Sequence, residues 1–202
     1  MPLDDTHLDF SEINTGYNSV FTLNKLTVGL VVPIETYTNS ATPTMLDHIE
    51  RVTLAESLGF SAVWLRDVPF NVPSFGDAGQ LFDPFVYLGA LAASTQTIAL
   101  GVSSIILPIR HPAHVAKAAA SADVLSKGRL ILGVASGDRP DEYPALNVSF
   151  EDRGLRFRQH YHYIQSMWRS YPQLESASGM LSGNIDMLPK PHAKKFPMLV
   201  TG

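Results

Sequence analysis

The chain has 202 residues, 45% hydrophobic and 17% charged. That balance suits one globular domain or two small ones and needs no disulfide or metal staple. A net charge of −4 and a pI of about 5.9 give no electrostatic case for nucleic acid or an anionic membrane. The absence of cysteine excludes a disulfide framework, a thiolate nucleophile, an iron–sulfur cluster and a cysteine-ligated zinc.

The acidic start, Met1-Pro2-Leu3-Asp4-Asp5, has neither the basic end nor the apolar core of a signal peptide. No apolar run approaches the roughly 18 residues of a membrane span, so a soluble, cytoplasmic protein is expected. Residues 1–24 show no clear period and read as an N-terminal arm, ahead of one domain over 25–202. Leu26 to Pro33 is a nearly continuous apolar run, as expected of a strand buried on both faces of a parallel sheet. Thr42-Pro43 has the chemistry of a helix start, and Met45, Ile49, Val52 and Ala55 recur at helical spacing up to Gly59.

Ala62-Val63-Trp64-Leu65 is the second expected strand, and Asp83-Pro84 opens a helix running past Ala92. Ile98 to Leu107 is the third strand, and His111-Pro112 starts an alanine-rich helix that stops at Lys127-Gly128. Leu130 to Val134 is the fourth strand. Ser149 to Asp152 has capping-box spacing before a helix that carries Phe157, Tyr161, Ile164 and Trp168 on one face. Residues 171–191 have the glycines and prolines of a small hairpin, and Phe196 to Val200 reads as a fifth strand. Burial on the sheet is expected for the faces around Trp168 and along the helix 113–125, although both also offer dimer surfaces.

Strands alternating with helices imply a parallel α/β sheet. Strand starts near 26, 61, 98 and 129 recur at about the length of one (β/α)8-barrel unit, roughly 31 residues. A doubly wound sheet has similar spacing, so the period does not choose between them.

In either fold, ligands sit beyond the carboxyl ends of the strands. That rule selects Pro33-Ile34-Glu35, Arg66-Asp67, Ser103-Ser104, Ala135-Ser136-Gly137-Asp138 and Thr201-Gly202. Small residues there let a flat ligand approach the backbone, and hydroxyls orient it; tight packing in a crowded barrel explains them equally. Asp67 suits a hydrogen bond to a ligand, and it suits an ion pair with Arg66 or another arginine just as well. Gly133 to Gly137 lacks the full dinucleotide or Walker pattern, and no nucleophile elbow is present. His111 reads as a helix-start residue, while His160 and His162 fall on different helix faces, so no metal-binding motif emerges. Arg153, Arg156 and Arg158 read as a solvated or interface row, with an anionic ligand tail as the alternative.

Four ordered stretches resemble the bacterial-luciferase-like, flavin-dependent oxidoreductases. They are Ala55 to Trp64; Leu100 to Pro108 with His111-Pro112; Asp123 to Gly133; and Leu199 to Gly202. The likeness spans about residues 26–202, and Arg66 to Pro69 and Ala135 to Pro140 are similar to one subgroup of that family. The resemblance implies a TIM (β/α)8 barrel, here the N-terminal portion of one, ending after its fifth strand.

It also implies reduced FMN, oxygen and a small organic substrate, with the reduced flavin possible from a separate reductase, and a homodimer. Cofactor contacts then fall on Asp67, Ser103, Ser104, Ser136, Gly137 and Thr201. Ser103-Ser104 lies where family members can carry a non-proline cis peptide against the flavin. Ser136 stands where the luciferases have a phosphate-binding arginine, and Val68 where they have a histidine, so light emission is not expected. Two other readings stay open: a deazaflavin-dependent hydride-transfer enzyme, and a non-catalytic flavin-binding or dimerising remnant. An open five-stranded sheet would expose its edge strands, and is expected to need a partner chain, a swapped segment or further sequence of its own.

Overall fold

A computed structural model describes residues 13–37, 39–75 and 79–201. Residues 1–12 of the expected arm, and Gly202, lie outside that range. The arm's last part is a short helix, α1 (Thr15–Val20), followed by β1 (Gly29–Val31), α2 (His48–Ser57), β2 (Ala62–Leu65) and α3 (Pro84–Ser94). Then come β3 (Ala99–Ile106), α4 (Pro112–Leu125), β4 (Leu130–Ala135), α5 (Glu142–Ala145) and α6 (Arg153–Met167). An antiparallel hairpin, β5 (Gln173–Ser176) with β6 (Gly179–Ser182), precedes β7 (Met198–Val200).

The main sheet runs β1-β2-β3-β4-β7, every neighbouring pair parallel. Five parallel strands with helices on their outer side make an arc of a barrel. Val63, Leu65, Leu100, Val102, Leu130 and Leu132 point outward from alternate strand positions into one core with Leu91, Ala119 and Ile164 of the helices. The inner face is lined by small residues, Ala62 and Ala99, with Ile131 and the larger Trp64 and Leu199 against them. A Cβ at Gly101 would lie 2.2 Å from the Trp64 ring, so that glycine makes the room the indole occupies.

Several helix starts follow the sequence chemistry. Asp83 accepts from the Phe85 and Val86 amides at 2.9 and 3.2 Å, and His111 accepts from the Ala113 amide, each with proline in the first turn. Two starts differ. The segment from Thr42 does not begin a helix, because the Glu35 carboxylate takes the Thr44 amide and hydroxyl and the Met45 amide. Those bonds hold the segment as a loop, and α2 begins only at His48. The capping-box spacing before α6 is also unused, since Ser149 donates to Glu151 and Asp152 makes no side-chain cap.

The first strand is shorter than its apolar run. Val32 still donates to the Trp64 carbonyl, but Pro33 has no amide to continue the ladder. Leu26 and Val28 are exposed ahead of it. Val31 and Val200, on the two edge strands, are each about 60% exposed.

The opposite, N-terminal end of the sheet is closed by α1. Asn14 caps it, accepting from the Tyr17 amide and donating to Asp123 at 3.1 Å and to the Leu130 carbonyl at 2.5 Å. Beside it Arg129 is 4% exposed, and its guanidinium donates to the carbonyls of Ala92, Thr95, Ile98 and Ser126 and to the Thr95 hydroxyl. The Trp168 face packs inward as expected, its indole donating to Ala116 of α4. Among the described residues no helix is long and apolar enough to cross a membrane.

Candidate active site

The carboxyl ends of β2, β3, β4 and β7 surround a cavity of about 330 Å³. All six residues selected from the sequence line it: Asp67, Ser103, Ser104, Ser136, Gly137 and Thr201. The Ser103–Ser104 peptide is cis, and the β3–β4 register shifts between Val102 and Ile105. The Ser104 hydroxyl meets that of Thr201, whose amide donates to the Val134 carbonyl at 3.1 Å. A second cavity of about 470 Å³, walled by Val31, Trp64, Leu65 and Leu199, shares Arg66 and Ser103 with the first and opens onto the apolar inner face.

Asp67 takes an arginine partner, and it is Arg110. Its carboxylate accepts from the Ile106 amide at 3.0 Å and from Arg110 through Nε at 3.0 Å and Nη2 at 2.6 Å. This is a bidentate pair closed by a backbone bond. Arg110 also reaches Asp83 at 3.1 Å. Burial pulls the guanidinium's pKa down, but the Asp67 bond and charge outweigh it, and the net shift is upward. Asp67 thus joins the end of β2 to the turn after β3 while its body remains in the cavity wall.

Gly137 sits at φ +80°, where a Cβ would come 2.7 Å from both Ile106 and the Tyr143 hydroxyl. Tyr143 is fully buried, donates to the Ser136 carbonyl, and burial raises its phenol to about 12. The expected arginine row lies elsewhere: Arg153 stacks on Phe150 and Arg156 bonds the Pro108 carbonyl. His160 is buried and donates to the Leu107 carbonyl at 2.8 Å, while His162 is exposed.

Two residues that sequence reasoning passed over stand at the wall. Arg139 lines the cavity, and Glu142 is 1% exposed behind it. Burial pushes the Glu142 carboxyl up to about 7, with Asp67 and Asp138 adding to the rise and Arg139 opposing it. The available signal was the charged run Asp138-Arg139-Pro140-Asp141-Glu142 directly after a strand, with arginine and glutamate three apart.

A folded-state value near 7 against an ordinary 4.5 means that the fold binds this proton more tightly than the unfolded chain does. The group's contribution to stability is therefore full below about pH 4.5 and is lost as pH rises through 7, up to about 3 kcal/mol. Glu142→Gln should match wild type near pH 5 and exceed its stability at pH 8 by about 2 kcal/mol. Urea unfolding at the two pH values measures this, and equal differences at both would contradict it.

A family model described as luciferase-like monooxygenase matches residues 21–202. The chain belongs to that family. An F420-dependent glucose-6-phosphate dehydrogenase of Beutenbergia cavernae is 36% identical over 126 residues, covering 60% of the chain and 37% of that enzyme. The oxygenase component of a flavin-dependent trigonelline monooxygenase of Acinetobacter baylyi is 29% identical over 125 residues, covering 61% of the chain and 33% of that protein.

The crystal structure of a Streptomyces bottropensis monooxygenase superposes with a TM-score of 0.69 at 28% identity, covering 86% of the chain and 52% of that structure. The luciferase-like chain thus spans about a third to a half of the length of these relatives. Its parallel arc is that of a luciferase-like TIM barrel, as the resemblance implied. Family members of both oxygen-using and F420-using kinds are among these relatives.

Proposed function

We propose that the chain binds reduced FMN at the strand-end cavity and serves as part of an oxygen-dependent oxidoreductase acting on a small organic substrate. The observation that carries this reading is convergence: four of the five strand-end stretches, with all six cofactor candidates, line one cavity, while Pro33-Ile34-Glu35 does not reach it. That cavity falls in the range of ligand pockets, roughly 300–1,000 Å³. Its composition fits a planar cofactor with a polar edge. Ser103, Ser104, Ser136 and Thr201 would hydrogen-bond that edge, and Gly137 keeps the wall thin. The apolar side adjoins Trp64 and Leu199, which would offer a bound ring an apolar surface. Asp67, held by Arg110, keeps the wall in place.

Bound reduced flavin supplies the electrons and the reaction with oxygen. A separate reductase is the fitting source of reduced flavin, since the trigonelline relative is an oxygenase component. The protein works in the cytoplasm in this reading. A homodimer belongs to the same reading.

A second reading, hydride transfer with a deazaflavin and no oxygen, is favoured by the 36% identity to an F420-dependent dehydrogenase. Anaerobic titration with each reduced cofactor, followed by turnover with and without oxygen, separates the two. FMN binding with oxygen-dependent oxidation is expected. Deazaflavin turnover without oxygen selects the second reading, and binding without turnover selects a non-catalytic flavin binder. Failure to bind either cofactor overturns the proposal.

A further inference from the structure

Arg139 stands at the wall of the strand-end cavity, and Glu142, three residues on, is buried behind it. Their side chains are 8% and 0% exposed, and Arg139 Nη1 lies 3.8 Å from Glu142 Oε1. That spacing places each in the other's field without a hydrogen bond. Among the described residues, Arg139 Nη1 and both carboxylate oxygens of Glu142 are buried and meet no partner in hydrogen-bonding geometry. Buried charged atoms left unpaired are rare because their desolvation is uncompensated. Here the unbonded Nη1 belongs to a residue that lines a cavity, and the Phe75 ring flanks its guanidinium 4.8 Å away.

The groups facing Glu142 come from three elements. Asp67, at the end of β2, and Asp138, in the turn after β4, oppose its ionisation; Arg139 favours it, and so does the nearby Phe70 amide in the loop after β2, which falls short of hydrogen-bonding geometry. Asp67 is itself neutralised by Arg110. The adjacent Tyr143 hydroxyl is turned away to the Ser136 carbonyl. The carboxyl therefore sits between opposing influences, and the guanidinium beside it has two uses, pairing with Glu142 or pairing with something in the cavity.

We propose that Glu142 is a positioning residue for Arg139: neutral, it leaves the guanidinium to hold an oxyanion of a ligand in the cavity, and ionised, it draws the guanidinium to itself. This rests on the reading of the cavity as a cofactor site. The ligand chemistry is a phosphate or carboxylate oxygen, which a guanidinium binds in a fork. It belongs either to the phosphate end of FMN or to an anionic substrate. Above the Glu142 midpoint, anion binding takes up one proton onto that carboxyl, so affinity falls about tenfold for each further pH unit.

The test measures FMN and riboflavin binding by flavin fluorescence from pH 5.5 to 8.5, and inorganic phosphate binding by phosphorus NMR line width. Wild type is compared with Glu142→Gln at each pH, so that the ligand's own titration cancels. FMN affinity for wild type relative to Glu142→Gln should fall about tenfold between pH 6 and 8, while the riboflavin ratio stays flat. Arg139→Lys, which keeps the charge but loses the fork, should flatten the FMN ratio.

If both flavin ratios are flat but the phosphate ratio carries the pH dependence, the oxyanion is the substrate's and the proposal stands. Flat ratios for all three ligands overturn it, because a merely structural Glu142 would change stability without changing these profiles. If neither flavin binds, the cofactor reading fails, and the phosphate arm still decides the role of Glu142.

Discussion

Asp67→Ala is expected to lower the folding free energy by about 3 kcal/mol and to weaken ligand binding at the strand-end cavity. The size follows from what is left behind. Alanine removes both Asp67 oxygens to which Arg110 donates, one of which also accepts from the Ile106 amide, and breaking a buried pair from one side typically costs about 3–5 kcal/mol. The lower end applies because Arg110 is 24% exposed and keeps Asp83 as a partner. Asp67→Asn retains an acceptor for Ile106 but not the charge, and should fall between alanine and wild type. Chemical denaturation checks the order; an alanine variant within about 1 kcal/mol of wild type would show that the pair only breaks even with water.

Arg129→Met should destabilise by a comparable amount, about 3–4 kcal/mol, while leaving ligand affinity nearly unchanged. Arg129 lies at the far end of the sheet from the cavity and donates to four carbonyls and one hydroxyl. Methionine matches the bulk and leaves those acceptors without a donor. Burial pulls the Arg129 pKa down and Glu56 opposes it, yet the donors remain in place through the guanidinium's planar fork. Arg129→Lys cannot reproduce that fork and should recover little of the loss. Recovery to near wild type with lysine would show that charge matters there and geometry does not.

The outline of the fold was legible because parallel strands buried on both faces announce themselves as continuous apolar runs. The runs at 62–65, 98–107, 130–134 and 196–200 became the strands 62–65, 99–106, 130–135 and 198–200, and proline after Asp83 and after His111 marked two helix starts. What was not legible depended on partners distant in sequence. Nothing local to Thr42–Asp47 reveals that Glu35 will hold its amides, nor that Arg110, rather than adjacent Arg66, will pair with Asp67.

The site follows the same division. Strand ends are a positional rule, so Ser103, Ser104, Ser136, Gly137 and Thr201 could be chosen before any contact was known. Glu142 lies seven residues beyond the end of β4, outside that rule, and its raised pKa arises from burial and from charges brought together by folding. The helix α1 was hidden for a related reason. Its six residues are too few to show a period, and its stability comes from docking rather than from propensity.

That docking has a consequence for the order in which the protein is made. Asn14 binds residues 109 and 116 positions downstream, so α1 leaves the ribosome long before its seat exists. Until β4 has been translated, the first helix can touch β3 but lacks the full set of partners of its capping residue Asn14, and such a short helix is marginal in water on its own. Helix α1 is therefore among the later parts of this assembly to settle, and a nascent chain stopped before Leu130 should leave it open to protease.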